Sequence, residues 1–196
     1  MNTNSLTIKQ ARKRQKIIDV AIKLFVKYGI QGTSMQLLAK RADIATGSIY
    51  NYFANKDNLV RETFHFVTNE EREYLLLDYD DTATVRERFN HLIRRSILYK
   101  MNNPEKFRFR AQYAYTSGVM TEFIGSETFA DHPFTHMGIA GQKQGLLKPL
   151  PLEELFYFSL GGMSGVISWK LFDNESLTED DITNITNIIW DAIKAE

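Results

Sequence analysis

The sequence predicts an all-α fold, with a three-helix head followed by a larger helical body. Three observations carry this reading. Apolar residues recur at three- and four-residue spacing in segment after segment, where strands would alternate. Glycine, proline and capping residues fall at the ends of those segments. Charge divides the chain as well: residues 1–61 hold eleven Lys/Arg against Asp19, Asp43 and Asp57, a net +8, and residues 62–196 compensate, so the 196-residue chain is neutral. Such asymmetry suits a basic module for a polyanion joined to an acidic body. The expected division is 1–60 for the head and 61–196 for the body. With 43% hydrophobic residues, a sizeable core is available.

Taken in order, Ile17, Ile18, Ala21, Ile22, Phe25 and Tyr28 form one apolar stripe, and Gly29 follows where a helix commonly stops. A second helix starts near Thr33 or Ser34. Thr33 and Gln36 are spaced as a capping box, and Met35, Leu38, Ala39 and Ala42 turn inward. Asp43 and Ile44 break the period. Thr46 is placed to cap a third, short helix that buries Ile49 and Phe53, and Asn55 to cap a fourth, from about Lys56 past Phe66. In the body, Thr84 to Met101 reads as a helix carrying Val85, Phe89, Leu92, Ile93 and Ile97. Asn103-Pro104 reads as a cap with a first-turn proline, opening a helix that ends near Gly118. Asp131-His132-Pro133 opens another, to about Gly145. Pro149 and Pro151 set off a long apolar helix, Leu152 to Phe172, and Thr178 caps the last helix, to about Lys194.

Helix, short helix, tight turn, short helix is the helix-turn-helix pattern, whose second short helix enters the major groove of DNA. Residues 45–57, ATGSIYNYFANKD, fit that role. Ile49 and Phe53 anchor the segment, while Thr46, Gly47, Ser48, Tyr50 and Asn51 offer a small, uncharged, hydrogen-bonding face. Asn51 can pair bidentately with adenine, and a tyrosine ring can touch a thymine methyl or a phosphate. Lys56 can add its charge to the start of the next helix and hold a phosphate. Arg12, Lys13, Arg14 and Lys16 form a basic lead-in suited to backbone contact. The same spacing also serves ordinary three-helix cores that bind nothing.

The stretch TSMQLLAKRADIATGSIYNYFANKDNL, residues 33–59, with AIKLFVKYG at 21–29, resembles the DNA-binding domain of tetracycline-repressor-type (TetR-type) transcriptional regulators. One departure is Asp43, where that family usually has glycine; Asp tolerates left-handed backbone better than most residues. The resemblance implies that Thr46, Gly47, Ser48, Tyr50 and Asn51 face the major groove, while Ser34, Gln36, Tyr52 and Lys56 hold the backbone. It implies a ligand-responsive homodimer, a repressor on a palindromic operator, paired through its last two helices. Gly161, Gly162 and Gly165, costly inside a helix, agree with close approach of a second helix. So does the number of large apolar groups, Phe156, Phe158, Trp169, Ile189 and Trp190, which exceeds one inner stripe.

The resemblance also places a small-molecule pocket in the middle of the body, where aromatic residues and methionines concentrate. The residues assigned to it are Phe66, Phe107, Phe109, Tyr113, Met120, Phe123 and Met137, suited to an apolar or aromatic effector, with Glu122 able to add a cation preference. An aromatic run at helical spacing is equally the makings of a plain core. Effector binding would shift the fourth helix and change the separation of two reading heads.

Other chemistries find no support. There is no cysteine. His132 and His136 stand four apart beside Asp131, but Pro133 intervenes and no third ligand is apparent, so no metal is expected. GGMSG at 161–165 lacks the Lys-Ser/Thr of a phosphate loop. No hydrolase, zinc-protease or dinucleotide pattern is present, so neither an enzyme nor a cofactor is expected. The longest uncharged apolar stretch, 155–169, is short of the roughly 20 residues a bilayer needs, and the first residues lack the apolar core of a secretory signal. A cytoplasmic protein is expected. The competing expectation is a helical small-molecule-binding or interaction protein that has lost DNA recognition.

Overall fold

The structure, a computed structural model, describes residues 3–114 and 126–196. They fold as helices α1 (Thr3–Tyr28), α2 (Met35–Ala42), α3 (Thr46–Ile49), α4 (Lys56–Leu76), α5 (Val85–Asn102), α6 (Pro104–Ala114), α7 (Glu127–Ala130), α8 (Pro133–Lys143), α9 (Leu152–Phe172) and α10 (Glu179–Ile193). Among the described residues the only β pairing is an isolated bridge between Leu147 and Lys194. The all-α expectation holds. Packing gathers the described residues into two units, 3–68 with 105–114, and 69–104 with 126–196. Residues 105–114 thus pack with the first unit, although they lie far beyond the expected head.

In the first unit, α1 buries Ile17, Ile18, Ala21, Ile22, Leu24 and Phe25. It ends as the stripe requires: Gly29 takes φ +71° and its amide donates to the Phe25 carbonyl at 2.9 Å. The expected capping box at Thr33 does not form. Thr33 is buried, and its hydroxyl donates to the carbonyls of Gly29 and Leu24 at 2.8 and 3.3 Å. Ser34 caps α2 instead, accepting from the Leu37 amide at 3.1 Å. Asp43 closes α2 in the left-handed region, φ 57°, as the turn requires. Nor does Thr46 cap α3: Ala45 holds that place without a side-chain bond, and Thr46 is the first helical residue. Asn55 does cap α4, accepting from the Asn58 amide at 2.8 Å. From α6, Phe109 stacks on Phe25 and Tyr113 with ring centroids 5.9 and 5.8 Å apart, and Tyr113 meets Phe64 at 5.9 Å. Each such ring burial is worth about 1.5–3 kcal/mol.

In the second unit, α5 is central and packs against α8, α9 and α10. Thr84 and Glu87 form a capping box at its start. Val85, Phe89, Leu92, Ile93 and Ile97 are its buried face, as the spacing predicts. The short α7 lies in a stretch where no separate helix is expected. His132 caps α8 through Nδ1, which accepts from the Phe134 amide at 3.3 Å. Two α8 glycines permit close packing: a Cβ at Gly138 would lie 2.8 Å from Leu152 Cδ2, and one at Gly141 2.6 Å from Leu147 Cδ1. α9 spans the expected residues, and α10 carries a Thr178–Asp181 capping box. Glu71, Ser96 and Lys100 form a buried polar network, with the Ser96 hydroxyl donating to Glu71 at 2.8 Å and Lys100 contacting both.

Candidate nucleic-acid interface

Two short helices frame the candidate face. The α2–α3 turn rests on Asp43, whose amide donates to the Ala39 and Lys40 carbonyls while the Ile44 amide donates to Ala39 at 3.0 Å. Those bonds satisfy the last carbonyls of α2 and let α3 start within three residues. α3 has four residues, shorter than the spacing predicts; beyond it, Asn51 and Tyr52 donate to the Ser48 and Ile49 carbonyls at 3.2 and 3.0 Å as a turn. Ile49 and Phe53 are fully buried, as expected, and fix the segment from below.

Above those anchors, Thr46, Gly47, Tyr50 and Asn51 are exposed and Ser48 is half-buried. Tyr50 keeps 51% of its surface in solvent despite its size. A Cβ on Gly47 would meet none of the described residues within 4 Å, so they leave the space directly in front of it open. None of these five residues carries a charge. The face therefore offers hydroxyl, amide and ring edges at close range, which is what base-edge readout needs.

The backbone-holding candidates divide. Gln36 is exposed, Tyr52 half-buried, and Ser34 exposed while capping α2. Lys56 has a second task that sequence patterns did not reveal: its Nζ donates to the Ile30 carbonyl at 3.0 Å, tying the start of α4 to the α1–α2 turn. That bond uses one of three ammonium protons. Arg14 is likewise engaged, 2.5 Å from Glu62 and over the Phe53 ring at 5.3 Å. The signal for that pairing, a glutamate 48 residues away, is invisible to local pattern reading.

Of the effector candidates, Phe107, Phe109 and Tyr113 are buried in the first unit, and Phe66 is half-buried there with Lys106 Nζ 5.8 Å from its ring centroid. Tyr113 also edges a cleft of about 540 Å³ shared with Tyr28, Ile30, Val60 and Arg61. Met137 belongs to the second unit and lines an apolar cavity of about 30 Å³ with Phe89, Phe134, Leu155 and Phe156. Met120, Glu122 and Phe123 lie outside the described residues.

Known proteins resemble this chain over nearly all of it. The family model for bacterial regulatory proteins of the tetR family matches residues 17–63. A second, for the tetracyclin repressor-like C-terminal domain, matches residues 84–194, more than half of the chain. The chain belongs to the TetR family. It is 27% identical over 180 residues to an uncharacterised HTH-type transcriptional regulator of Haemophilus influenzae, covering 92% of this chain and 95% of that one. A crystal structure of a TetR-family transcriptional regulator from Haemophilus influenzae shares the fold, with a TM-score of 0.80 at 24% identity, covering 95% of this chain and 98% of that one. A third relative, 32% identical over 72 residues (37% of this chain, 39% of that one), is the negative transcriptional regulator of the biofilm operon icaADBC of Staphylococcus epidermidis. This TetR-family protein is accordingly a helix-turn-helix transcriptional regulator, of a family that is generally non-enzymatic. Among its described residues no helix is long and apolar enough to cross a membrane, and no group of three His, Cys, Asp or Glu is placed to hold a metal ion.

Proposed function

We propose that this regulator is a homodimeric repressor that reads a palindromic operator with two copies of the 46–52 face and is released by a small apolar or aromatic effector. The functional division is 1–60 for DNA binding and 61–196 for effector binding and dimerisation. The exposed, uncharged face above buried Ile49 and Phe53 carries this reading. A solvated helix face ordinarily holds charges, and this one holds hydroxyls, an amide and an open glycine. Thr46, Gly47, Ser48, Tyr50 and Asn51 meet bases, and Ser34, Gln36, Tyr52 and Lys56 hold phosphates.

Dimerisation is supported by α9 and α10. Phe158, Trp169, Phe172 and Ile188 are exposed at 63, 57, 84 and 69%, and a Cβ on Gly161, Gly162 or Gly165 would meet nothing within 4 Å. Large apolar groups beside an open glycine row suit a second helix pair at close range. Two heads then match half-sites about 34–36 Å apart, and an effector acts through its different affinity for two head spacings. The negative regulator among the relatives favours repression. The work of such a regulator lies where the DNA is, in the cytoplasm.

A gel shift with the duplex upstream of the protein's own gene tests the reading. Expected is a discrete complex, competed by unlabelled fragment but poorly by random duplex, and lost on adding the right apolar compound. Absence of any complex at low ionic strength would leave only an effector- or partner-binding protein.

A further inference from the structure

α1 extends well beyond the core it serves. From Lys9 to Lys16 no side chain is buried, and the buried stripe runs from Ile17 onward. Residues 9–16 alone are about 12 Å of helix at 1.5 Å per residue, with no side chain in the core. Lys9, Arg12, Lys13 and Lys16 are all exposed and fall within about 100° of one another around the helix axis. No acidic residue precedes Asp19 in the chain. Among the described residues none of these four makes an ion pair, whereas Arg14, on another side of α1, spends its charge on Glu62.

As free structure this arrangement is unfavourable. Lys9 and Lys13, and Arg12 and Lys16, are like charges four apart, which repel on a helix. A row of phosphates would relieve that repulsion.

We propose that the exposed face of α1 formed by Lys9, Arg12, Lys13 and Lys16 is a second, sequence-blind contact that holds the DNA backbone flanking the bases read by residues 46–52. It rests on the operator reading above and extends the footprint beyond it. Each phosphate neutralised releases counterions, so the contact appears as a steeper salt dependence with no change in sequence preference.

The test uses the full chain and its triple variant Lys9→Gln/Arg12→Gln/Lys13→Gln. The probes are the footprinted upstream site, that site extended by about one helical turn (~10 base pairs) of random sequence at each end, and a random duplex of the extended length. Removing repelling charges keeps or raises helicity in circular dichroism, so weaker binding is not unfolding. Expected is that extension tightens binding of the natural chain but not of the variant. Because the variant leaves three phosphates without a cation, its affinity for the extended site falls about 40-fold less between roughly 50 and 200 mM salt. The operator-to-random preference stays the same in both. Equal salt slopes for the two proteins on the extended and random duplexes would overturn the contact. Failure of the natural chain to prefer the site over random duplex, with the slopes still differing, would sink the operator reading and leave this contact standing.

Discussion

Asp43 shows how much one side chain decides. Its φ of 57° costs most residues about 1 kcal/mol or more, while glycine carries no such penalty. Asp43→Ala is expected to destabilise by about 1 kcal/mol in urea unfolding, and Asp43→Gly to be neutral within a few tenths. At Asn51, exposed beside a face without charge, truncation removes readout only. Asn51→Ala should lose roughly 1–3 kcal/mol of discrimination between operator and random duplex, with an unchanged salt slope. Lys56→Met should weaken both duplexes alike and lower the slope by about one; an unchanged slope would mean that the bond to Ile30 is its whole task. Asp43, Ile49, Phe53 and Asn55 were legible in the sequence because each acts within a few residues of itself. Thr33, Arg14 and Lys56 were not, because their partners are set by how α1, α2 and α4 meet.

At the scale of elements, caps and buried pairs decide. Glu87 accepts from the Thr84 hydroxyl and backbone, and Asp181 from the Thr178 backbone and hydroxyl; these bonds hold both carboxyls below the usual carboxylate range. A lowered native pKa gives stability that is complete above the unfolded-chain value and lost as pH falls through the native one. Urea titrations should therefore show declining stability below about pH 4, and a double Thr84→Ala/Thr178→Ala variant a shallower decline. Deeper in the second unit, Lys100→Met takes the cation away from the buried Glu71 carboxylate and should cost about 3–5 kcal/mol, most of it recovered in Lys100→Met/Glu71→Leu. The long elements were read well from sequence. α9 runs between its proline and its last aromatic, and α10 starts after Thr178, because cap and period agree there. α3 fell short and α7 was missed, since helices of four residues leave almost no periodic signal.

For the molecule as a whole, the sequence conveyed the charge division and the helical class but not the partition of the core. Phe107, Phe109 and Tyr113 read locally as body residues, yet they complete the packing of the first unit. Only tertiary contact reveals this, because an aromatic stripe does not specify the surface it meets. The glycine row of α9 makes association testable. A single chain gains helix propensity from Gly165→Ala, up to about 1 kcal/mol. A closely apposed pair is forced apart by Gly165→Leu, which should shift sedimentation toward the monomer at micromolar concentration and make the melting temperature less dependent on concentration.

The two tryptophans turn this arrangement into an optical instrument. Trp169 stands 57% exposed on α9, while half-buried Trp190 lies against Phe89 at 5.1 Å with Arg86 over its ring at 4.6 Å. Emission from the first should move to the blue and resist acrylamide quenching as rising concentration brings chains together, while the second should hold its colour until the α5–α10 contact melts. Trp169→Phe and Trp190→Phe would then separate assembly from unfolding in one cuvette, with no label attached.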